Sequence, residues 1–382
     1  MAKVQLLKPF DMTSFPPLTA PAPGTMTGAL KFFAPAGSAI ESAKLYGNGL
    51  SLRSVTLDGV PGYEATGEVT SIHSRDASGG VMDISGLSFS AEILEGPLTL
   101  GRGLFDLAEI ALAKSDVVTG SSGSDVIDGR AGDDRLIGGA GNDVFADSRG
   151  RNVVDGGSGY DVVSLSSGLA SARFDLALTG MQTLGGSNGL SVTGVEGARV
   201  SGGASWTLLG TAGANGISGG SSADVISGRA GNDALSGGGG SDLISGGIGD
   251  DRIVGGAGND VLRGDAGRDA FVFSDAIGTD RVSGGADADT FVFSGSASGR
   301  VTIDTLSGGG KTDLIDLSGV AGSHMSSVMD VVAHDGRAGS VTAERTADRR
   351  GWVLELDEDG DRVTDLTIVI ANEKNVFDDI VW

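Results

Sequence analysis

An aspartate that returns every nine residues constrains the fold of this chain more than any other feature. It stands at Asp116, Asp125, Asp134, Asp143 and Asp161, with Asn152 in the same register. A second ladder runs Asn215, Asp224, Asp233, Asp242, Asp251, Asp260 and Asp269, and resumes after a two-residue slip at Asp280 and Asp289. Two further columns keep the same phase. Glycine lies two residues before the acid, as at Gly123, Gly132, Gly141, Gly231, Gly240, Gly249, Gly258 and Gly267. An apolar side chain lies two residues after it, as at Ile127, Leu136, Phe145, Ile244, Ile253, Leu262 and Phe291. Asx-rich turns in a linker explain an acid column, but not an apolar column locked to it. A fixed period with several coincident columns marks a repeat architecture.

The repeat is G-G-x-G-x-D-x-U-x, with U apolar, most complete in Gly255-Gly256-Ala257-Gly258-Asn259-Asp260-Val261-Leu262-Arg263. The glycines allow positive φ and close approach of backbones. The remaining x-U-x is too short for a helix and long enough for one short strand. A core built from one apolar residue in nine is thin, while ordering the backbone costs ~1–2 kcal/mol per residue. The chain has no cysteine, so disulfides and thiolate metal sites are excluded. A bound cation is the staple that remains. With 50 acids against 27 Lys and Arg, the net charge of -23 disfavours nucleic acid and anionic membranes as partners. Carboxylates and turn carbonyls form an all-oxygen, flexible cage that suits calcium better than magnesium. Zinc prefers His or Cys, and His73, His324 and His334 all lie off the ladder.

With these columns, residues 116–164 and 210–292 resemble the repeats-in-toxin (RTX) family of calcium-binding proteins. The resemblance implies an all-β fold, a right-handed parallel β-roll with two repeats per coil and U side chains filling the centre. It also implies several Ca2+ ions, each held between turns two repeats apart. The expected ligands are the turns of Asp125, Asp134, Asp143, Asp161, Asp224, Asp233, Asp242, Asp251, Asp260, Asp269, Asp280 and Asp289, with the eight glycines named above. Asn152 and Asn215 bring no charge, and Ser222 and Asp287 replace the inner glycine, so sites there are expected to be weaker.

Five segments follow. Residues 1–114 read as a β-rich domain of unknown role, closed by a short apolar helix over 104–112 that caps the roll. Residues 115–164 and 210–292 are the two repeat blocks. Between them, 165–209 lacks the consensus, yet Asp161 to Asn215 spans 54 residues, a whole number of nines. Calcium-free coils are expected there, with a bulged-out insertion as the alternative. Residues 293–382 resemble the tail that follows such repeats. Within it, Asp357, Asp359, Asp361 and Asp365 fall at EF-hand positions 1, 3, 5 and 9. The glycine is displaced from position 6, however, and no Glu closes position 12, so an acidic turn is the alternative.

The N-terminal stretch has no apolar core of a conventional secretory signal, and no apolar run of ~18 residues marks a membrane span. The ending Phe377-Asp378-Asp379-Ile380-Val381-Trp382 resembles an uncleaved type I secretion signal, which makes that machinery an expected partner. The expected location is extracellular, secreted or on a bacterial cell surface. No H-E-x-x-H occurs, and Gly185-Gly186-Ser187-Asn188-Gly189 matches G-x-S-x-G without a strand–elbow–helix context. No catalytic residue is assigned. The leading expectation is a structural or adhesive surface component, with copies of itself or cell-surface glycans as partners. The alternatives are a calcium-dependent glycan- or receptor-binding module and a polysaccharide lyase or epimerase.

Overall fold

A computed structural model describes residues 3–8, 29–33, 40–57, 60–76, 81–90, 115–120, 122–146, 149–304, 307–308, 311–320, 340–357, 363–371 and 380–381. The expected helix over 104–112 lies outside the described residues, as do Asp359, Asp361 and Phe377–Asp379. Among the described residues there is no helix, and the chain is built from strands. They divide into two compact units, residues 1–165 with 178–195, and residues 166–177 with 196–382.

In the first unit each x-U-x becomes a strand that pairs in parallel with the strand two repeats on. Val117 faces Arg135 and Arg135 faces Val153 in one sheet. Val126 faces Val144 and Val144 faces Val162 in the other. Each step is 18 residues, so two nonapeptides make one coil and successive repeats alternate between two sheets. The U side chains Ile127, Leu136, Phe145, Val154 and Val163 are all buried between them. Asn188–Thr193 continues the first sheet in parallel beside Arg151–Ser158, and a hairpin returns to it from Gln182–Gly185. That hairpin contains Gly185–Gly189, so the G-x-S-x-G run there is a β-turn and not a nucleophile elbow. At the other edge Lys3–Lys8 lies parallel to Val117–Thr119 and antiparallel to Val81–Ser90. Val60–Asp76, Ile40–Leu57 and Ala29–Phe33 extend the sheet by antiparallel pairing.

The second unit repeats the pattern over a longer stack. Val225, Leu243 and Val261 stand in register, as do Ala234, Arg252 and Ala270 in the alternate series. Within 165–209, Ser171–Asp175 pairs in parallel with Ser205–Leu209, and Gly197–Ser201 pairs with Gly216–Ser218. The slip after Asp269 lengthens both series once: Val261 faces Arg281 and Ala270 faces Thr290, each 20 residues on. The stack absorbs the insertion because extra residues enter the turn and leave the U positions in line. Phe271 stacks on Phe291 and Phe273 on Phe293, with centroids 5.2 and 4.7 Å apart. Burying each such side chain stabilises the core by about 1.5–3 kcal/mol. Beyond the repeats, Leu366–Ile370 pairs in parallel with Gly299–Ile303. An antiparallel ribbon of Ser340–Arg345 and Trp352–Asp357 adjoins it, and Arg345 lies 4.3 Å over the Trp352 ring.

Candidate metal centre

The aspartates that open each strand point inward at the turn and are buried, from Asp116 to Asp289. One oxygen of each is used by the backbone. Asp242 Oδ1 accepts the Asp224 amide at 2.7 Å, and Asp260 Oδ1 accepts the Asp242 amide at 2.9 Å. The alternate column does the same, with Asp233 donating to Asp251 and Asp251 to Asp269. In the first unit Asp116 donates to Asp134, Asp125 to Asp143 and Asp143 to Asp161. Across the slip the bonds from Asp260 to Asp280 and Asp269 to Asp289 are unchanged at 2.9 Å.

The second oxygen is where protein chemistry stops. Oδ2 of Asp134, Asp143, Asp233, Asp242, Asp251, Asp260, Asp269 and Asp289 is buried with no hydrogen-bond partner. A buried carboxylate oxygen without a partner is expensive, and here the same orphaned atom recurs coil after coil. Each such oxygen faces a cradle made by the first glycine of its own repeat. A Cβ at Gly237 would overlap Asp242 Oδ2 and the carbonyl oxygen of Gly255, one coil on. A Cβ at Gly246 would likewise overlap Asp251 Oδ2 and crowd the Gly264 carbonyl. Glycine is required at this position so that carboxylate and carbonyl oxygens can share one space. Among the described residues no three His, Asp or Glu side chains converge, so backbone carbonyls must complete any ion's shell. That donor set suits a large hard cation with many oxygen ligands.

Burial, with the neighbouring carboxylates of the stack adding to it, raises the pKa of Asp134, Asp242, Asp269, Asp280 and Asp289 to about 7. Asp143 and Asp233 rise to about 6 for the same first reason. The metal-free column therefore holds protons that the unfolded chain releases near its ordinary carboxylate pKa of ~3.9. Folding without calcium is favoured at acid pH, and that stability is lost as pH rises through about 6 to 7. Dialysed, calcium-free protein is expected to show more β-structure by circular dichroism at pH 5.5 than at pH 8. The reverse order would contradict this arrangement.

Three expected positions are satisfied differently. Asp224 accepts the Trp206 amide at 2.6 Å on Oδ1 and the Gly220 amide at 2.8 Å on Oδ2. Asn215 accepts the Thr211 amide and donates its own side-chain amide to the Glu196 carbonyl at 2.9 Å, so it needs no cation. Asn152 holds its place in the ladder by accepting the Asp134 amide. The inner glycines close the turns instead of facing the cradle: Gly141, Gly240, Gly249 and Gly267 each donate N–H to a carbonyl of the following coil. Asp287, in a glycine's place, adopts φ of +77°. In the tail, Asp357 is buried at the end of its strand, and Asp365 donates N–H to the Leu356 carbonyl.

Two features are not foreshadowed by the repeat consensus. The inner column runs one step beyond the last repeat, where Asp313 Oδ1 accepts the Asp289 amide at 2.9 Å. Ile315, two residues after Asp313, is the signal in the sequence; it is buried and faces Phe291. The residue just before each aspartate also forms a ladder of its own. Asn142 accepts from Tyr160, Asn232 from Asp250, Asp250 from Arg268 and Asn259 from Thr279. Its bonds run toward the following coil, opposite in sense to those of the buried column.

Residues 111–145, 132–163, 209–244, 236–271 and 276–294 match the RTX calcium-binding nonapeptide repeat. These segments are RTX repeats. RTX repeats bind calcium, several ions to a domain, and the open Oδ2 atoms and glycine carbonyls are the groups that fit it here. No curated protein matches the chain. Among solved structures, the R3 subunit of the Azotobacter vinelandii mannuronan C5-epimerase AlgE6 is 26% identical, covering 37% of this chain and 79% of its own at a TM-score of 0.27. The extracellular lipase LipA of Serratia marcescens is 18% identical, covering 70% of this chain and 40% of its own at a TM-score of 0.22. When bound, calcium supplies the positive charge that the RTX column lacks, and the chain's own part is to present one preplaced carboxylate oxygen per repeat.

Proposed function

We propose that the protein is a secreted, calcium-binding structural or adhesive component of a cell surface, whose roll is the working body of the molecule. The observation that carries the reading is the succession of buried carboxylate oxygens left open in coil after coil. Such a stack opposes itself where calcium is scarce and closes where calcium is plentiful, which suits a protein that folds after leaving the cell. Type I export fits this behaviour, since an open chain can be threaded and then trapped by folding outside. Repeats and the strands that follow them make up most of the chain, which favours a scaffold over a carrier for a separate catalytic domain.

Electron microscopy of purified protein in calcium is expected to show ordered arrays or filaments. Monodisperse particles that bind immobilised glycans would favour a recognition module, and turnover of uronate polymers would favour an enzyme. Export supplies a second test in a host with the cognate secretion apparatus. Deleting residues 372–382 is expected to abolish release while purified protein still folds with calcium. Normal release of the truncated chain would rule out a C-terminal signal.

A further inference from the structure

Where the second unit's repeats begin, a side chain takes the place a metal would have. The first glycines of alternate repeats form a column of Gly210, Gly228, Gly246, Gly264 and Gly284. The carbonyls of Gly228, Gly246, Gly264 and Gly284 each face the cradle of the glycine one coil earlier. The Gly210 carbonyl, at the start of the column, instead accepts Arg229 Nη1 at 2.6 Å. The same guanidinium donates to Asp175 Oδ1 at 2.8 Å and to Oδ2 at 2.7 Å. Asp175 belongs to the preceding coil, where it faces Leu209 across the ladder, and its side chain is 4% exposed. Arg173 also reaches Asp175 Oδ2, at 3.1 Å, but is more than half exposed.

Arg229 occupies the second-glycine position of its repeat with φ of +78°, where Gly238, Gly247 and Gly256 have φ of 97°, 116° and 99°. A bulky residue is uncommon in that conformation, so the side chain is held there at a cost to the backbone. Arg130 shares the position in the first unit, but it pairs with Asp128, two residues away in sequence. Arg229 reaches across to earlier coils instead.

We propose that Arg229 is a chain-borne substitute for calcium: its guanidinium fills an oxygen site formed by the Asp175 carboxylate and the Gly210 carbonyl, and its removal uncovers a latent calcium site. The inference rests on the reading that column carboxylates and glycine carbonyls bind calcium. A guanidinium fits a carboxylate bidentately and stays charged at any working pH. The junction between the consensus-free coils and the repeats is thereby closed without metal, and the calcium column starts above it.

Native mass spectrometry of the full chain at saturating calcium tests this by counting bound ions. R229G restores the glycine that this backbone prefers, and it is expected to bind one ion more than the wild type. R229G combined with D175N is expected to return to the wild-type count. An R229G protein with the wild-type count or fewer overturns the proposal. If R229G does not fold, R229Q decides. Leaving Asp175 buried without its bidentate cation, R229Q is expected to lower the melting temperature more than the R229Q/D175N pair does. Equal melting of the two overturns the proposal as well. A wild-type chain that binds no calcium would instead remove the underlying reading.

Discussion

Chelation of calcium at neutral pH is expected to abolish most of the β-signal in circular dichroism, and added calcium is expected to restore it cooperatively. Each ion bound only by the folded chain stabilises it by ~2.7 kcal/mol at a hundredfold excess over Kd. Three such ions together contribute about 8 kcal/mol, comparable to the whole net stability of about 5–15 kcal/mol typical of a folded domain. The repeats have little to set against that loss, because each adds one buried U side chain and leaves a buried carboxylate oxygen open. A spectrum indifferent to chelator would mean that the stack stands on its apolar core, contrary to the argument from the open oxygens.

The second large effect separates two members of the same column. Asp242→Ala removes the open Oδ2 and also the Oδ1 that accepts the buried Asp224 amide. A buried amide left unpaired costs about 1–3 kcal/mol. With the lost ion, the total is on the order of 4 kcal/mol, so fewer ions should bind and the melting temperature should fall by many degrees. Asn215→Ala removes only neutral hydrogen bonds to Thr211 and Glu196, so the number of ions bound should not change. Calorimetry in calcium distinguishes them, and an equal loss of bound calcium in both variants would disprove the ligand assignment.

The period of nine makes the roll legible because a solenoid is nearly one-dimensional: every coil poses the same local problem, and the chain answers it in the same phase each time. Asp, inner Gly and U all stand out as columns of the repeat, and the U column is buried throughout. The first glycine of each repeat is visible too, but its task is not, since the crowding between Asp242 Oδ2 and the Gly255 carbonyl joins residues a coil apart. The outer ladder is hidden because Asn142 and Asp250 look like ordinary turn residues until the coil length fixes what lies beside them. The Asp175–Arg229 pair leaves no trace in the repeat pattern, as the coils between them depart from 18 residues and no period points from one partner to the other.

The two ladders of opposite sense give the stack a direction. In the buried column each coil offers a carboxylate oxygen to the coil before it and an amide hydrogen to the coil after it. In the outer ladder the roles are exchanged. A stack parted between any two coils therefore has two unlike faces, one presenting inner carboxylates and the other inner amides. Like faces repel or leave their groups unmet, and only a head-to-tail meeting restores both ladders at once. A fragment ending in a free coil face would thus add to another copy in a single orientation, giving a polar strand of molecules instead of a closed pair.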